Sequence, residues 1–399
     1  MLAPAQLPRM ASMAVDRLKM TLLAPRARRA LASRRPPSGT VPFAVYFADV
    51  PSSAYQLRQW LRPLEALDSA SGPVILIVRN PSVALAMAGQ TRLPMLFSQN
   101  FASVEEFITR HAVRVVFYVN NSQSNFTTLR LNGPAHVHLS HGESEKVSMY
   151  SNQLKAYDYA FIAGEASAAR ILEHVRGIDP AHLVRIGRPQ LDVRRDDEHD
   201  ATGGDGRATV LYSPTWEGDS TQMAYGSLVS HGRDLVEALF SDPRFRIVFR
   251  PHPKTGTQSA QHRAALAGMK RRLSSPAARA AGHVIDSESD AVRSIARADV
   301  VVADVSAMAM DALGMDKPLV LCQPTSHGTS ELASRITTWA TAVPAEAADQ
   351  LARFAHAPVP AEQAAYRATV FATETPAQAV ELFVDEATRI AQRQQDAAV

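Results

Sequence analysis

The sequence predicts an α/β protein of two Rossmann-like domains facing a cleft. Three observations lead there. Short apolar, β-branched runs alternate with helical stretches along most of the 399 residues. The alternation is interrupted once, by a charged, Gly-rich stretch at 194–207. Several runs end in polar motifs rich in Gly, Pro, His and Ser, where open parallel sheets collect their ligands. A chain of this length allows two domains, and a hydrophobic fraction of 46% supplies their cores.

The first series begins after Arg35-Pro36-Pro37-Ser38-Gly39. Phe43 to Phe47 reads as a strand, followed by a helix around 55–67. Pro73 to Val78 is a near-continuous β-branched run, as in a strand buried on both faces. A helix near 83–87 follows, then strands at 113–119, 136–139, 159–162 and 183–186. The linker, Arg194 to Arg207, is too polar and Gly-rich to pack. The second series has strands at 209–212, 246–249, 283–285, 300–303 and 319–322, with helices near 232–240, 260–273 and 291–298. The last forty or so residues are Ala-rich and helical, with capping signals at Pro360-Ala361-Glu362 and Thr375-Pro376. The expected division is an N-terminal segment 1–40, a domain 41–193, the linker 194–207, and a domain 208–399 that includes the C-terminal helices.

Charge is unevenly spread. Residues 1–41 hold eight basic side chains against Asp16 alone, a net of +7, which leaves the rest of the chain at −4 within the total of +3. Met10, Met13, Val15, Leu18, Met20, Leu22 and Leu23 are interleaved with these bases. Residues 9–35 thus predict a basic amphipathic helix, ending near Pro25, on an anionic membrane surface. Each basic residue there is worth on the order of 1 kcal/mol. The alternative is a solvated tail. The acidic body and the lack of interleaved aromatic and basic residues argue against nucleic-acid binding. No apolar run reaches the ~18 residues of a membrane span, and charges break the N-terminus too often for a secretory leader. The single Cys322 permits no internal disulfide and points to a reducing compartment. The expected location is the cytoplasm, peripheral on the inner face of the cell membrane.

Four strand-end motifs carry chemistry. His141-Gly142 follows one strand, with Lys146 five residues after the histidine. A histidine there can take a proton from a hydroxyl, and the glycine permits close backbone approach. The bland alternative is a surface histidine in a turn. His136 and His138 alternate on the strand and read as structural. Arg250-Pro251-His252-Pro253-Lys254 follows another strand. Its prolines stiffen the backbone around His252, and Arg250 and Lys254 suit phosphate oxygens. Asp304-Val305-Ser306 leads into a helix whose N-terminus is a ready anion site; equally, Ser306 simply caps it. In Ser213-Pro214-Thr215-Trp216, Thr215 is a candidate phosphate or nucleotide contact, while Trp216 reads as packing. His231-Gly232 and His327-Gly328 read as loop or capping elements. No His-x₃-His or paired-Cys spacing supports a metal site.

At these residues the chain resembles the CDP-glycerol glycerophosphotransferase family, which builds teichoic acids and related polyol-phosphate polymers. His141-Gly142 with Lys146 is similar to the family's His-Gly-Thr-x-x-Lys turn. Ser213-Pro214-Thr215-Trp216 is similar to its small-Pro-Thr-Trp strand end, and Arg250-Pro251-His252-Pro253 to its Arg-x-His-Pro. Asp304-Val305-Ser306 with Asp311 and Asp316-Lys317-Pro318 is similar to its Asp-x-Ser…Asp…Asp-Lys-Pro run. Tyr157-Asp158-Tyr159, Gly164-Glu165 and Ile186-Gly187-Arg188-Pro189 also fit. The pieces stand in the family's order across about 135–325. The chain departs from the pattern at Glu143 (usually Thr), at Glu217 (often basic) and at Ala307 (usually a second hydroxyl residue).

The resemblance implies a GT-B-like fold with the donor in the C-terminal domain. It implies attack by an acceptor hydroxyl on the β-phosphorus of CDP-glycerol or a related CDP-polyol, with release of CMP. The acceptor would be a lipid-linked or polymeric glycan of the cell wall or capsule. His141 and His252 would be catalytic, in either order of roles. Arg250, Ser306, Thr215 and Lys254 would bind the donor phosphates, supported by Gly142, Lys146, Asp304 and Asp311. No cofactor is implied beyond the CDP-polyol substrate. The competing expectations are a GT-B nucleotide-sugar transferase and a non-catalytic nucleotide-binding partner of such a polymerase.

Overall fold

Two all-parallel sheets organise the chain. The computed structural model describes residues 6–34, 36–140, 142–143, 150–192, 206–218, 224–287, 290–323, 330–340 and 342–397, with side chains of the first helix from Leu18 onward. The first sheet comprises β1 (Phe43–Phe47), β2 (Val74–Val78), β3 (Met95–Phe97), β4 (Val115–Tyr118), β5 (Ala135–His138), β6 (Tyr159–Ile162) and β7 (Leu183–Arg185), in the order β3-β2-β1-β4-β5-β6-β7. The second comprises β8 (Ala208–Ser213), β9 (Phe245–Phe249), β10 (Val284–Ile285), β11 (Val300–Ala303), β12 (Leu319–Cys322) and β13 (Thr337–Trp339), in the order β10-β9-β8-β11-β12-β13. Central strands such as Val-Ile-Leu-Ile-Val (β2) and Val-Val-Val-Ala (β11) are buried on both faces, because crossover helices cover both sides of a parallel sheet.

Strand order reverses between β1 and β4, and again between β8 and β11. Such switch points open a crevice at the carboxyl ends of the strands. Register aligns the second crevice. Ala303 pairs with Ser213, and Tyr212 with Phe249. The motifs after β9, β8 and β11 therefore emerge side by side.

Three features depart from expectation. The first helix, Gln6–Ala30, runs through Pro25 instead of ending there. Its C-terminal end belongs to the body: Ala24, Ala27 and the following Leu31 are buried in the core of the first sheet, and the helix packs on Pro81–Met87. The final helix, Pro376–Ala397, leaves the second sheet and covers the first. Its Phe383 is fully buried, with ring centroids 5.3 Å from Trp60, 5.8 Å from Phe117 and 6.1 Å from Phe161. Finally, β3 and β13, each three residues long, extend the sheets at their edges. Most of the expected linker, residues 194–205, lies outside the described residues.

Candidate active site

The second sheet builds most of the site. Asp304, wholly buried after β11, accepts the backbone N–H of Thr215 at 2.6 Å and of Ser227 at 3.1 Å on Oδ2. One carboxylate thus ties the ends of β8 and β11 together. Ser306 caps the helix Ala307–Gly314: its Oγ accepts the Ala309 N–H at 3.4 Å and donates to the Asp304 carbonyl at 3.0 Å. The first-turn amides of this helix face the crevice end of the sheet, where an anion is favoured.

The loop after β9 is stiff. Arg250 is held by Asp286 at 2.8 Å and by the Ser294 hydroxyl at 3.1 Å, both through Nη1. Its charge is therefore shared with a carboxylate that lies 36 residues downstream. His252 Nδ1 accepts the Lys254 backbone N–H at 3.1 Å. In the neutral ring this assigns the proton to Nε2. Trp216 stacks on His252, with centroids 6.1 Å apart and planes at 21°, and Lys254 Nζ lies 5.0 Å from the indole centroid. Trp216 is only half-buried, with its ring against His252 and Lys254.

Both acids that depart from the family pattern are engaged. The buried Glu217 accepts the backbone N–H of Gly256 at 2.9 Å, Gln258 at 2.8 Å and Ser259 at 3.1 Å. Burial pushes its carboxyl up, but these amide donors outweigh it and hold the group below the usual range. Glu143 is also buried, paired with Arg170 at 2.8 Å and with the Ser167 hydroxyl at 2.8 Å. Its charge is thus matched inside the first domain by Arg170.

From the first domain comes the turn after β5. Ser140 takes a left-handed φ of 58°, and its carbonyl accepts the Trp60 Nε1–H at 2.6 Å. Its hydroxyl donates to the Gly142 carbonyl at 2.8 Å. A Cβ on Gly142 would lie 3.3 Å from Ala307 Cβ. Gly142 therefore abuts Ala307, the first residue of the Ser306-capped helix, across the two domains. Behind this contact Arg188 Nη2 lies 2.6 Å from Asp311 Oδ1, both side chains buried. Burial raises the Asp311 carboxyl, and the Arg188 charge opposes that rise.

Of the sequence candidates, Thr215, Arg250, His252, Lys254, Asp304 and Ser306 follow the adjoining carboxyl ends of β8, β9 and β11, Gly142 meets the Ser306-capped helix from the other domain, and Asp311 pairs with Arg188. His141 and Lys146 lie outside the described residues, as does His327-Gly328. His136 bonds Tyr118 and the Leu131 carbonyl, each at 2.8 Å, and His231 bonds the Trp339 carbonyl at 3.0 Å; both are structural. Sequence reasoning missed Asp286, Ser294, Arg170, the pairing of Arg188 with Asp311 and the role of Glu217, whose partners lie far along the chain. Among the described residues, no group of three or more His, Cys, Asp or Glu is arranged to hold a metal ion.

Two parallel-sheet domains with a crevice between them define the GT-B class of transferase. Solved structures share the fold. Wall teichoic acid polymerase TagF, as a histidine-to-asparagine variant soaked with CDPG, matches with a TM-score of 0.56 at 14% identity, over 99% of this chain and 100% of that one. A second TagF variant gives 0.55 at 13% identity over 99% and 100%. A glycosyltransferase from Rickettsia africae ESF-5 gives 0.52 at 14% identity over 88% and 98%. No curated protein sequence matches the chain. The model of the family CDP-glycerol:poly(glycerophosphate) glycerophosphotransferase matches residues 103–328. The chain belongs to that family and is a transferase.

Proposed function

We propose that the protein moves a polyol phosphate from CDP-glycerol, or a closely related CDP-polyol, to a hydroxyl of a membrane-linked glycan or polymer. The acceptor oxygen attacks the β-phosphorus, its proton passes to a base, and the bond to the CMP oxygen breaks. The observation that carries this reading is the contact of Gly142 with Ala307, which joins the His-Gly turn to an anion-binding helix start.

The roles follow from donor and acceptor chemistry. His252 Nδ1 is occupied by an amide N–H, so its Nε2–H donates to a phosphate oxygen and is not poised to accept a proton. That leaves His141 as the general base, a function worth about 10²- to 10⁴-fold in rate. The Ser306 helix start and Lys254 offset the charge of the diphosphate and the Thr215 hydroxyl donates to it, and such preorganised groups stabilise charge that grows in the transition state. Arg250, the loop's first residue, acts from within its ion pair with Asp286, which fixes where the loop leaves the sheet.

The protein works at a membrane surface facing the cytoplasm. Support comes from the first helix, where Leu18 and Leu22 are 60% and 62% exposed and Lys19, Arg26 and Arg29 are exposed beside them. No helix among the described residues is long and apolar enough to cross a membrane.

The test is a donor screen with membranes present, reading nucleotide release. CMP from CDP-glycerol, with label passing to the membrane fraction, is the expected result. Turnover of a UDP- or CMP-sugar instead would favour a sugar transferase. Tight CDP-glycerol binding without release would favour a non-catalytic partner.

A further inference from the structure

Glu217 sits where the loop carrying His252 turns into the helix Ala260–Leu273. Its two oxygens take three backbone N–H groups, from Gly256, Gln258 and Ser259, and Ser259 is the N-cap of that helix. The loop cannot relax around these bonds. Gly256 has a φ of +82°, a Cβ there would lie 2.9 Å from Arg263 Cα, and Arg263 Nε donates to the Gly256 carbonyl at 3.0 Å. Directly before Glu217, Trp216 presents its ring to His252 and Lys254. Two adjacent residues therefore grip one loop, the ring at its front and the carboxylate at its rear.

We propose that Glu217 is a positioning residue of the donor site, whose ionised carboxylate holds His252 and Lys254 in register with the Ser306 helix start. Three amide donors converge on one charge, and charge-assisted bonds of this kind are the strong ones. A neutral amide in its place would set an NH₂ against a backbone N–H, leaving one donor facing another. Only the activity part of the test rests on the function proposed above.

The experiment compares wild type, Glu217→Ala and Glu217→Gln by two readouts. The first is the ¹⁵N spectrum of the His252 ring, which reports whether Nδ1 is bare and accepting. The second is steady-state CMP release from CDP-glycerol. In wild type the ring is the Nε2–H tautomer; in both variants we expect tautomer averaging, and kcat/KM lower by about 100-fold, the scale of a misplacement near 1 Å. A purely structural role would lower the melting temperature and leave the His252 signature alone. A wild-type His252 signature with a wild-type KM for CDP-glycerol in Glu217→Ala would overturn the proposal, and Glu217→Gln supplies both readouts if the alanine variant does not fold. A lost signature in a protein whose wild type does not turn over CDP-glycerol would uphold the role of Glu217 and reject the donor assignment alone.

Discussion

Arg188 and Asp311 form a 2.6 Å ion pair between the two domains, with both side chains almost fully buried. Arg188 follows β7 of the first sheet, and Asp311 rides the helix that Ser306 caps. Removing one member strands a buried charge, which costs about 3–5 kcal/mol. Arg188→Met and Asp311→Leu should each lower the urea midpoint accordingly. The double variant should cost less than either single one, since apolar pairs replace buried ion pairs well. Equal, additive losses in a double-mutant cycle would show that the two groups do not interact.

Gly142 predicts a steric effect on turnover. A Cβ there would press on Ala307 at 3.3 Å, so Gly142→Val should wedge the turn away from the helix. We expect kcat/KM to fall by about 100-fold with little change in melting temperature. Ala307→Gly, added to Gly142→Val, should restore part of the loss in CMP release.

Acid should destabilise the protein through histidines that are neutral when folded. Burial, first of all, lowers His136, His231 and His283, and for His283 the charges of Arg207, Arg272 and Arg246 add to it. Unfolded histidines protonate near pH 6.5. Below that value the unfolded chain binds more protons than the native one, so this stability is complete above pH ~6.5 and declines as pH falls toward the native values. His283→Gln should flatten the slope of urea midpoint against pH between about 7 and 5.5; an unchanged slope would remove His283 from the explanation.

The outer face of the first helix predicts binding to anionic vesicles. Leu18 and Leu22 lie one turn apart and are mostly exposed; full burial of a leucine is worth about 1.5–3 kcal/mol. Leu18→Glu with Leu22→Glu should abolish cosedimentation with phosphatidylglycerol vesicles, and high salt should weaken the wild type through Lys19, Arg26 and Arg29. Sedimentation of the double variant at the wild-type level would contradict the membrane role.

The sheets were legible where burial on both faces forces continuous β-branched runs, as at Val74–Val78, Val300–Ala303 and Leu319–Cys322. The edge strands Met95–Phe97 and Thr337–Trp339 were not, because three residues hold no pattern. Nor was the return of the last helix to the first sheet: the apolar stripe of Ala379, Phe383, Ala387 and Ile390 states that one face is buried, not against what. In the site, residue types at strand ends were readable, but commitments were not. Asp286 lies far in sequence from Arg250, and the amides that Glu217 satisfies are some forty residues beyond it. A local pattern therefore records Glu217 and Glu143 as departures, while the fold uses both as buried anchors.

On the function proposed above, the His141-Gly142 turn and the His252 loop serve one diphosphate. Single-turnover CMP release from CDP-glycerol by His141→Ala and His252→Ala, each with a wild-type melting temperature, tests it most directly. Each variant should lose at least about 10²-fold in rate. Near-normal turnover in either one would contradict it.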